Sequence, residues 1–191
     1  MKWIYCDINN ISDEEYAIAY RALSPSRRER VNRIQNTDDK KRSLAGEILA
    51  KKLLLEEYVI DNPQITIDTK GKPQAEGAPH FSIAHCQDIA VCAADDSEIG
   101  LDIEKIRAVK HSLIKRVCVD EELEYVLGSY TTDDNLCEDL EILAKFFEIW
   151  TAKEAHFKKI GTGITNFKSV NTRAIKKQFF TLNDYLICIV F

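Results

Sequence analysis

The pattern of hydrophobic and polar positions divides the chain into strands and helices in an order that occurs twice. An apolar opening segment at residues 2–8 predicts a strand, and Ser12 is a start signal for the helix that follows it. Ser24 and Pro25 predict the start of a second helix, because proline is tolerated at a first helical position. Residues 38–58 carry apolar side chains at helical spacing and form the longest helical pattern of the chain.

Two hairpin patterns, about half the chain apart, have the same layout. Residues 80–95 and residues 178–191 each predict two strands joined by a short turn that contains Asp. A long helical pattern precedes each hairpin, the second of them at residues 141–160. The sequence therefore predicts an α+β fold of two similar, pseudo-symmetric α/β halves, residues 1–97 and 98–191. We expect a ligand cleft at the joint between them, a common position for pockets.

Composition narrows the classes of protein that fit this pattern. With 191 residues, 45% hydrophobic and 30% charged, the chain is typical of a globular protein. Its six cysteines form no C-x-x-C pair, which favours reduced, non-catalytic thiols. The apolar runs are too short for a secretory signal or a membrane span, so we expect a cytoplasmic protein that does not associate with membranes. The net charge of −5 argues against general nucleic-acid binding.

The charge is unevenly distributed, and residues 27–42 are locally basic. This segment holds seven basic and three acidic residues, and the basic ones are Arg27, Arg28, Arg30, Arg33, Lys40, Lys41 and Arg42. Such a run is compatible with a solvated helix face whose charges pair with one another, or with a local binding site for an anion.

The segment G-L-D-I-E at residues 100–104 places two carboxylates on one face of a predicted strand. Residues two apart in a strand point to the same side, so Asp102 and Glu104 project together. Neighbouring carboxylates repel each other unless a cation or a shared proton lies between them, and oxygen ligands suit magnesium. An acidic strand that faces water is the alternative.

The segment W-T-A-K-E lies within the second long helical pattern. Spacings of three and four residues relate Trp150, Lys153, Glu154 and Phe157, and Lys158 lies one turn after Glu154. This arrangement could add a third carboxylate to the strand pair and offer lysines to a phosphate. The alternative is an ordinary amphipathic helix with a Glu154–Lys158 pair worth a few tenths of a kcal/mol.

Two shorter segments add polar groups that could contact a phosphate or a nucleotide. Lys72 and Pro73 lie on a predicted turn after Gly71, and His85 ends the first strand of the earlier hairpin, F-S-I-A-H. Each of them also fits an unremarkable turn or a half-buried histidine.

Taken together, these segments resemble the 4′-phosphopantetheinyl transferases. The order basic helix, G-K-P, F-x-I-x-H, G-x-D-x-E and W-x-x-K-E resembles the surfactin-synthetase-activating type, which has two similar halves in one chain, and it extends from residue 24 to about residue 163. The resemblance implies a holo-[acyl-carrier-protein] synthase. Such an enzyme transfers the 4′-phosphopantetheine group of coenzyme A to a serine of an apo acyl-, peptidyl- or polyketide carrier protein and releases 3′,5′-ADP.

The resemblance also implies roles for matching residues. Asp102, Glu104 and Glu154 would bind Mg²⁺, and Lys153 and Lys158 would hold the pyrophosphate of coenzyme A. The residues implied to contact the rest of the nucleotide are Arg27, Arg30, Arg42, Ser43, Lys72, Pro73 and His85. Glu122 aligns with the acidic residue proposed as the base in this type, and Ala84 stands where the family more often has a serine that could touch the ligand.

The sequence says less about the oligomeric state and about the surface that binds the carrier protein. The resemblance implies a monomer, and we expect the carrier protein to dock near residues 110–130, where His111, Lys115 and Arg116 lie. Two other functions remain open at this point. A magnesium pyrophosphohydrolase would use the same carboxylates with water as the nucleophile, and a non-catalytic module would bind a carrier or an RNA through residues 27–42 and leave the carboxylates unexplained.

Overall fold

The computed structural model describes residues 1–128, 135–164 and 166–191, and all bounds below refer to those ranges. In chain order the strands and α-helices are β1 (Lys2–Asp7), α1 (Asp13–Arg21), α2 (Pro25–Arg33), α3 (Thr37–Tyr58), β2 (Thr66–Ile67), β3 (Pro73–Gln74), β4 (His80–Cys86), β5 (Ile89–Asp95), β6 (Gly100–Lys105), β7 (Val109–Lys110), α4 (His111–Val117), α5 (Asp120–Leu127), β8 (Leu136–Cys137), α6 (Leu140–Ile160), β9 (Lys177–Leu182) and β10 (Tyr185–Val190).

The helices of the first half begin at the residues that the sequence marks as start signals. Ser12 accepts a hydrogen bond from the backbone N–H of Glu15, whose carboxylate in turn accepts from the N–H of Ser12, which is a capping box. Pro25 occupies the first turn of α2, and the side chain of Asn36 accepts from the N–H of Asp38 at the start of α3.

The first half is a three-stranded antiparallel sheet in the order β1-β5-β4, covered on one face by α3. Alternate residues of the strands turn toward the helix, so Phe81 and Cys92 pack with Leu49 and Leu53 in a buried cluster. Strand β4 lies at the edge of this sheet.

The second half repeats this arrangement in the order β6-β10-β9, with α6 as the covering helix. Each element has a counterpart in the first half: β6 corresponds to β1, β10 to β5, β9 to β4 and α6 to α3. Ala152 and Ala155 of α6 pack on Cys188 and Val190 of the central strand. The predicted α+β fold of two similar halves is thus confirmed.

The faces of the two sheets that do not contact α3 or α6 form a shared core. Its buried members, from both sheets and from the segment just before β6, are Ala84, Val91, Ala93, Ile99, Leu101, Ile103, Ile187 and Ile189. At the junction, the backbone N–H of Leu101 on β6 donates to the hydroxyl of Ser82 on β4 at 3.1 Å. The layers therefore run helix, sheet, sheet, helix, and the edge strands β4 and β6 lie side by side.

Gly100, the first residue of β6, lets α6 approach the strand very closely. A Cβ atom placed there would lie 1.9 Å from the carbonyl oxygen of Ala155 and 2.5 Å from the backbone nitrogen of Lys159. Only a residue without a side chain fits this contact. The close approach brings the C-terminal part of α6, with Glu154, next to the carboxylates of β6.

The hairpin turns also agree with the prediction, and the cysteines are unpaired in the structure. The two hairpins turn at Gln87-Asp88 and Asn183-Asp184, as predicted. All six cysteines are free, and four of them are buried. Among the described residues, no helix combines the length and the hydropathy that a membrane span requires.

Candidate active site

A cleft lies at the joint between the two halves and consists of two adjoining cavities. The larger, of about 330 Å³, is lined from both halves, by Lys72 of the first and by Glu154, Phe157 and Lys158 of the second. The smaller, of about 180 Å³, is lined by the first half alone. Its polar and charged lining residues are Arg27, Arg30, Arg42, Ser43, Glu47 and His85. Because Gly71, Pro73 and Ile83 line both cavities, the two are continuous.

The second half contributes three carboxylates that are close enough to repel one another. Burial, and then repulsion from Asp102 and Glu104, raise the pKa of Glu154 to about 7. Burial also raises the pKa of Asp102 to about 6, although Lys158 partly opposes the shift. Strand spacing places Asp102 beside Glu104, and the close contact at Gly100 brings α6, with Glu154, against them.

The partners of these carboxylates differ. Oδ1 of Asp102 accepts from Nζ of Lys158 at 2.7 Å, whereas its buried Oδ2 has no hydrogen-bond partner in the described part of the chain. Glu104 accepts from the indole N–H of Trp150 at 3.1 Å and from Arg107 at 2.9 Å. Trp150 thus orients Glu104 in addition to packing in the core.

The chemistry of this donor set fits a hard cation, although the side chains do not form a coordination shell as they lie. Among residues 1–128, 135–164 and 166–191, no three His, Cys, Asp or Glu side chains are arranged so that they could hold a metal ion. An unpartnered, buried carboxylate oxygen and mutual repulsion are both features that a divalent cation would offset. The magnesium site therefore stays a prediction.

The first half contributes guanidinium groups held in place by neighbours. Arg27, only 8% exposed, donates from Nε to Oε2 of Glu47 at 3.2 Å and from Nη2 to the hydroxyl of Ser43 at 3.3 Å. Nε of Arg42 donates to the carbonyl oxygen of Gln87 at 2.8 Å, and its Nη1 pairs with Asp39. Arg30 is exposed. The smaller cavity thus presents several cations to whatever enters it.

His85 lies between the two groups of cations. Its pKa is lowered from the ordinary value, first by partial burial and then by the nearby charges of Lys158 and Arg42. A neutral imidazole among cations can donate one hydrogen bond without adding to their repulsion.

The turn that carries Lys72 joins the halves. Nζ of Lys72 donates to the carbonyl oxygen of Lys159 at the C-terminal end of α6, at 3.0 Å. The same turn places Pro73 in the walls of both cavities. Lys72 is therefore tied to the second half as well as lining the cleft.

Lys153 and Glu122 do not line the cleft, and in this respect the arrangement differs from the expectation. Both are fully buried, with Nζ and Oε2 2.6 Å apart. Adjacent helical residues point in different directions, so Lys153 faces the interior while Glu154 and Lys158, four apart, share the cleft face. Lys153 also donates to the carbonyl oxygens of Val117 and Phe167, which uses all three of its protons and leaves none for a pyrophosphate.

Glu122 has its acceptor positions occupied as well. One oxygen accepts from the backbone N–H and the hydroxyl of Thr172, at 2.8 and 2.9 Å, and the other from the N–H of Val119. Burial raises the pKa of Glu122, but the hydrogen bonds from Lys153, Thr172 and Val119 outweigh it and hold that pKa below its usual value. The direct role of Glu122 as a base does not fit this arrangement.

Two further expectations need correction. His111 is 8% exposed and its Nδ1 lies 2.9 Å from the carbonyl oxygen of Asn135, so it is part of the packing and not of an exposed docking surface. Ala84 lies in the core between the sheets, on the side of β4 away from Ile83 and His85. A hydroxyl there would face apolar side chains, so alanine costs the cleft no polar contact.

Sequence reasoning missed Glu47, Gly100 and the bond from Trp150 to Glu104. Glu47 stands in the apolar face of the long helix pattern, and a carboxylate at a core position was the signal that could have found it. The other two depend on contacts between elements far apart in the chain, which no local pattern indicates.

Comparison with known proteins agrees with this geometry. The family profile described as the 4′-phosphopantetheinyl transferase superfamily matches residues 98–188, and one described as 4′-phosphopantetheinyl transferase, N-terminal, matches residues 10–97. The chain is 31% identical over 167 residues to the 4′-phosphopantetheinyl transferase Sfp of Bacillus subtilis, covering 85% of this chain and 70% of that protein.

Two more distant relatives are similar over a comparable part of the chain. The 4′-phosphopantetheinyl transferase gsp of Aneurinibacillus migulanus is 28% identical, covering 82% of this chain and 63% of its own length. The L-aminoadipate-semialdehyde dehydrogenase-phosphopantetheinyl transferase of Xenopus laevis is 26% identical, covering 80% and 54%. Together with the fold and the cleft, these similarities show that the chain belongs to the 4′-phosphopantetheinyl transferase superfamily, as a member of the Sfp type that transfers phosphopantetheine from coenzyme A to carrier proteins.

Proposed function

We propose that the cleft binds coenzyme A across the two halves, with its nucleotide phosphates in the smaller cavity and its pyrophosphate beside Lys158. The receiving group is a serine hydroxyl of an apo acyl-, peptidyl- or polyketide carrier protein, and the product that leaves is 3′,5′-ADP. One observation carries the proposal. In one continuous cleft, arginine side chains of the first half lie close to carboxylates and a lysine of the second half.

The phosphate contacts follow from the charges that line the smaller cavity. Arg27, Arg30 and Arg42 offer forked donors to phosphate oxygens, and the Ser43 hydroxyl and His85 add neutral ones. Pro73 and the stem of Lys72 would contact the adenine. Anions in such a pocket are bound more strongly than at an open surface, since less water screens the charges.

Asp102, Glu104 and Glu154 would hold Mg²⁺ next to the pyrophosphate. Once bound, the ion would offset the negative charge that develops on the phosphate oxygens. Lys158, which bridges to Asp102 at 2.7 Å, would supply a fixed positive charge beside the same oxygens. The carboxylates alone would repel a polyphosphate, so a cation is needed for both to occupy the cleft.

The serine hydroxyl of the carrier must also be activated for attack. A serine hydroxyl is a weak nucleophile and needs a base. Glu122 could act as that base only after exchanging one of its present hydrogen bonds. In the described arrangement it holds Lys153, whose bonds to the carbonyls of Val117 and Phe167 fasten the neighbouring segments to α6.

One assay tests the proposal against the two alternatives. The protein is incubated with coenzyme A, Mg²⁺ and an apo-carrier, and the mass of the carrier is measured. We expect a gain of one phosphopantetheine that stops with EDTA and returns with added Mg²⁺. 3′,5′-ADP without modified carrier would indicate a hydrolase, and carrier binding without either product would indicate a non-catalytic module.

The carboxylates are tested in the same assay. Asp102→Ala and Glu154→Ala should each abolish transfer while the circular dichroism spectrum stays that of the folded protein, because the cation site is lost and the core is not. Glu141→Gln, on the exposed start of α6, is the matched control and should retain transfer. Transfer by either purified alanine variant would remove the basis for the metal assignment.

The finer properties of the enzyme belong to the same proposal. It would be a cytoplasmic monomer whose halves divide between residues 97 and 98. The carrier would dock near Lys115 and Arg116, and the exposure of these basic side chains supports that placement. Size-exclusion chromatography with light scattering tests the monomer.

A further inference from the structure

A buried carboxylate lies under the smaller cavity, between helices α2 and α3. Glu47 of α3 is 1% exposed, and its Oε2 accepts from Nε of Arg27 on α2 at 3.2 Å. Its Oε1 has no hydrogen-bond partner within the described part of the chain, and Nζ of Lys51 lies 3.9 Å away. No role proposed above uses this carboxylate.

Stability alone does not account for a pair placed here. Removing two charges from water costs more than a single hydrogen bond at 3.2 Å recovers, so a buried pair of this kind is often no better than apolar residues of the same size. Arg27 meets Glu47 through one nitrogen and not through the two-pronged contact that makes such pairs strong. We therefore look for the role of Glu47 in its contact with Arg27 and not in the stability of the fold.

The contacts fix the plane of the Arg27 guanidinium. Glu47 holds Nε from one side, and Ser43 accepts from Nη2. The other N–H groups of the fork are not used by these two contacts, and the side chain lines the cavity. Arg30, by contrast, is exposed and has no comparable buried anchor among the described residues.

We propose that Glu47 is a positioning residue that holds the Arg27 guanidinium ready for the 3′-phosphate of coenzyme A and thereby sets the preference for substrates that carry this phosphate. The inference rests on the proposed placement of the nucleotide phosphates in this cavity. It adds a residue that borders the smaller cavity and whose proposed role is exerted through Arg27.

The test compares coenzyme A with 3′-dephospho-coenzyme A as substrates of the full-length enzyme. For Glu47→Gln, which keeps the size and one acceptor, we expect KM for coenzyme A to rise about threefold to tenfold with kcat within twofold. For Glu47→Ala we expect a rise of at least about tenfold, similar to that of Arg27→Gln. KM for the dephosphorylated substrate should change less than twofold in all three.

Two further variants separate positioning from packing. Arg27→Gln combined with Glu47→Gln should be no worse than Arg27→Gln alone, because Glu47 acts through Arg27. Glu57→Gln, on the same helix and paired with Lys2 at the surface, is the matched control and should leave both substrates unchanged.

Three results would overturn the inference. If the Glu47 variants raised KM equally for both substrates, in proportion to their drop in melting temperature, Glu47 would have only a packing role. Additive increases in KM in the double variant would lead to the same conclusion. If Arg27→Gln itself left the preference for coenzyme A unchanged, the placement of the 3′-phosphate in this cavity would fail, and the inference would fail with it. Should Glu47→Ala not fold, Glu47→Gln and the double variant still decide.

Discussion

The two halves have the same architecture and opposite chemistry where they meet. In each, a long helix, α3 or α6, covers a three-stranded antiparallel sheet. The first half presents guanidinium groups that are largely held by partners, such as Arg27 by Glu47. The second presents carboxylates whose burial and mutual repulsion are only partly offset, so that the pKa of Glu154 rises to about 7. A single scaffold can therefore carry either part of the proposed coenzyme A site, and the scaffold does not determine which charges it carries.

The contact between helix and sheet distinguishes the halves most sharply. A Cβ added at Gly100 would collide with the backbone of α6, whereas one added at Gly46 of α3 would lie 2.7 Å from Cγ2 of Ile83, a side-chain methyl group and not backbone. We expect Gly100→Ala to lower the free energy of unfolding by about 3 kcal/mol or more, beyond the usual range for overpacking, and Gly46→Ala by about 1 kcal/mol. Urea denaturation measures both. Equal costs would show that the helices are equally free to shift.

The second prediction concerns the fully buried ion pair between Lys153 and Glu122 in the second half. Glu122→Gln removes one charge and leaves Lys153 charged in the interior, so we expect a loss of about 3–5 kcal/mol in the free energy of unfolding. Lys145→Gln, at an exposed pair on the same helix, should cost less than about 0.5 kcal/mol. If Glu122→Gln kept its stability and lost only kcat, the base role would regain its support.

The third prediction uses the raised pKa of Glu154. The folded value of about 7 lies above the ordinary 4.5, so protonation favours the folded state, and this contribution is full below pH 4.5 and lost as the pH rises through 7. Glu154→Gln should therefore stabilise the protein by on the order of 1–3 kcal/mol at pH 8 and have no effect near pH 4. Thermal unfolding at the two pH values measures this. A gain independent of pH would contradict the raised pKa of Glu154.

The smallest expected effect on stability is that of replacing Arg30, an arginine that lines the smaller cavity. The side chain of Arg30 is exposed and not part of the core, so Arg30→Gln should change the free energy of unfolding by less than about 0.5 kcal/mol. It should still weaken binding of 3′,5′-ADP, measured by calorimetry, and flatten the dependence of that binding on salt. Arg33→Gln, whose side chain pairs with Glu29 at the surface, is the control. Unchanged binding in Arg30→Gln would place the phosphates elsewhere.

Much of the fold could be predicted because its signals are local. The Ser12 cap and the two Asp-containing hairpin turns depend on neighbouring residues, and they begin or end elements where expected. The candidate site was predicted in part for the same reason. Strand alternation is enough to set Asp102 beside Glu104, and helical spacing is enough to relate Glu154 to Lys158.

What the sequence determined by itself is the repeated α/β pattern and the kinds of side chain available to each half. Which of these side chains face the cleft depends on contacts made in the folded protein. Lys153 and Glu154 are adjacent in the chain, yet one lies in a buried ion pair and the other lines the cavity. The reason is that the direction of a side chain depends on which face of its helix is buried, and burial is set by contacts such as that of Gly100 with α6, between residues far apart in sequence.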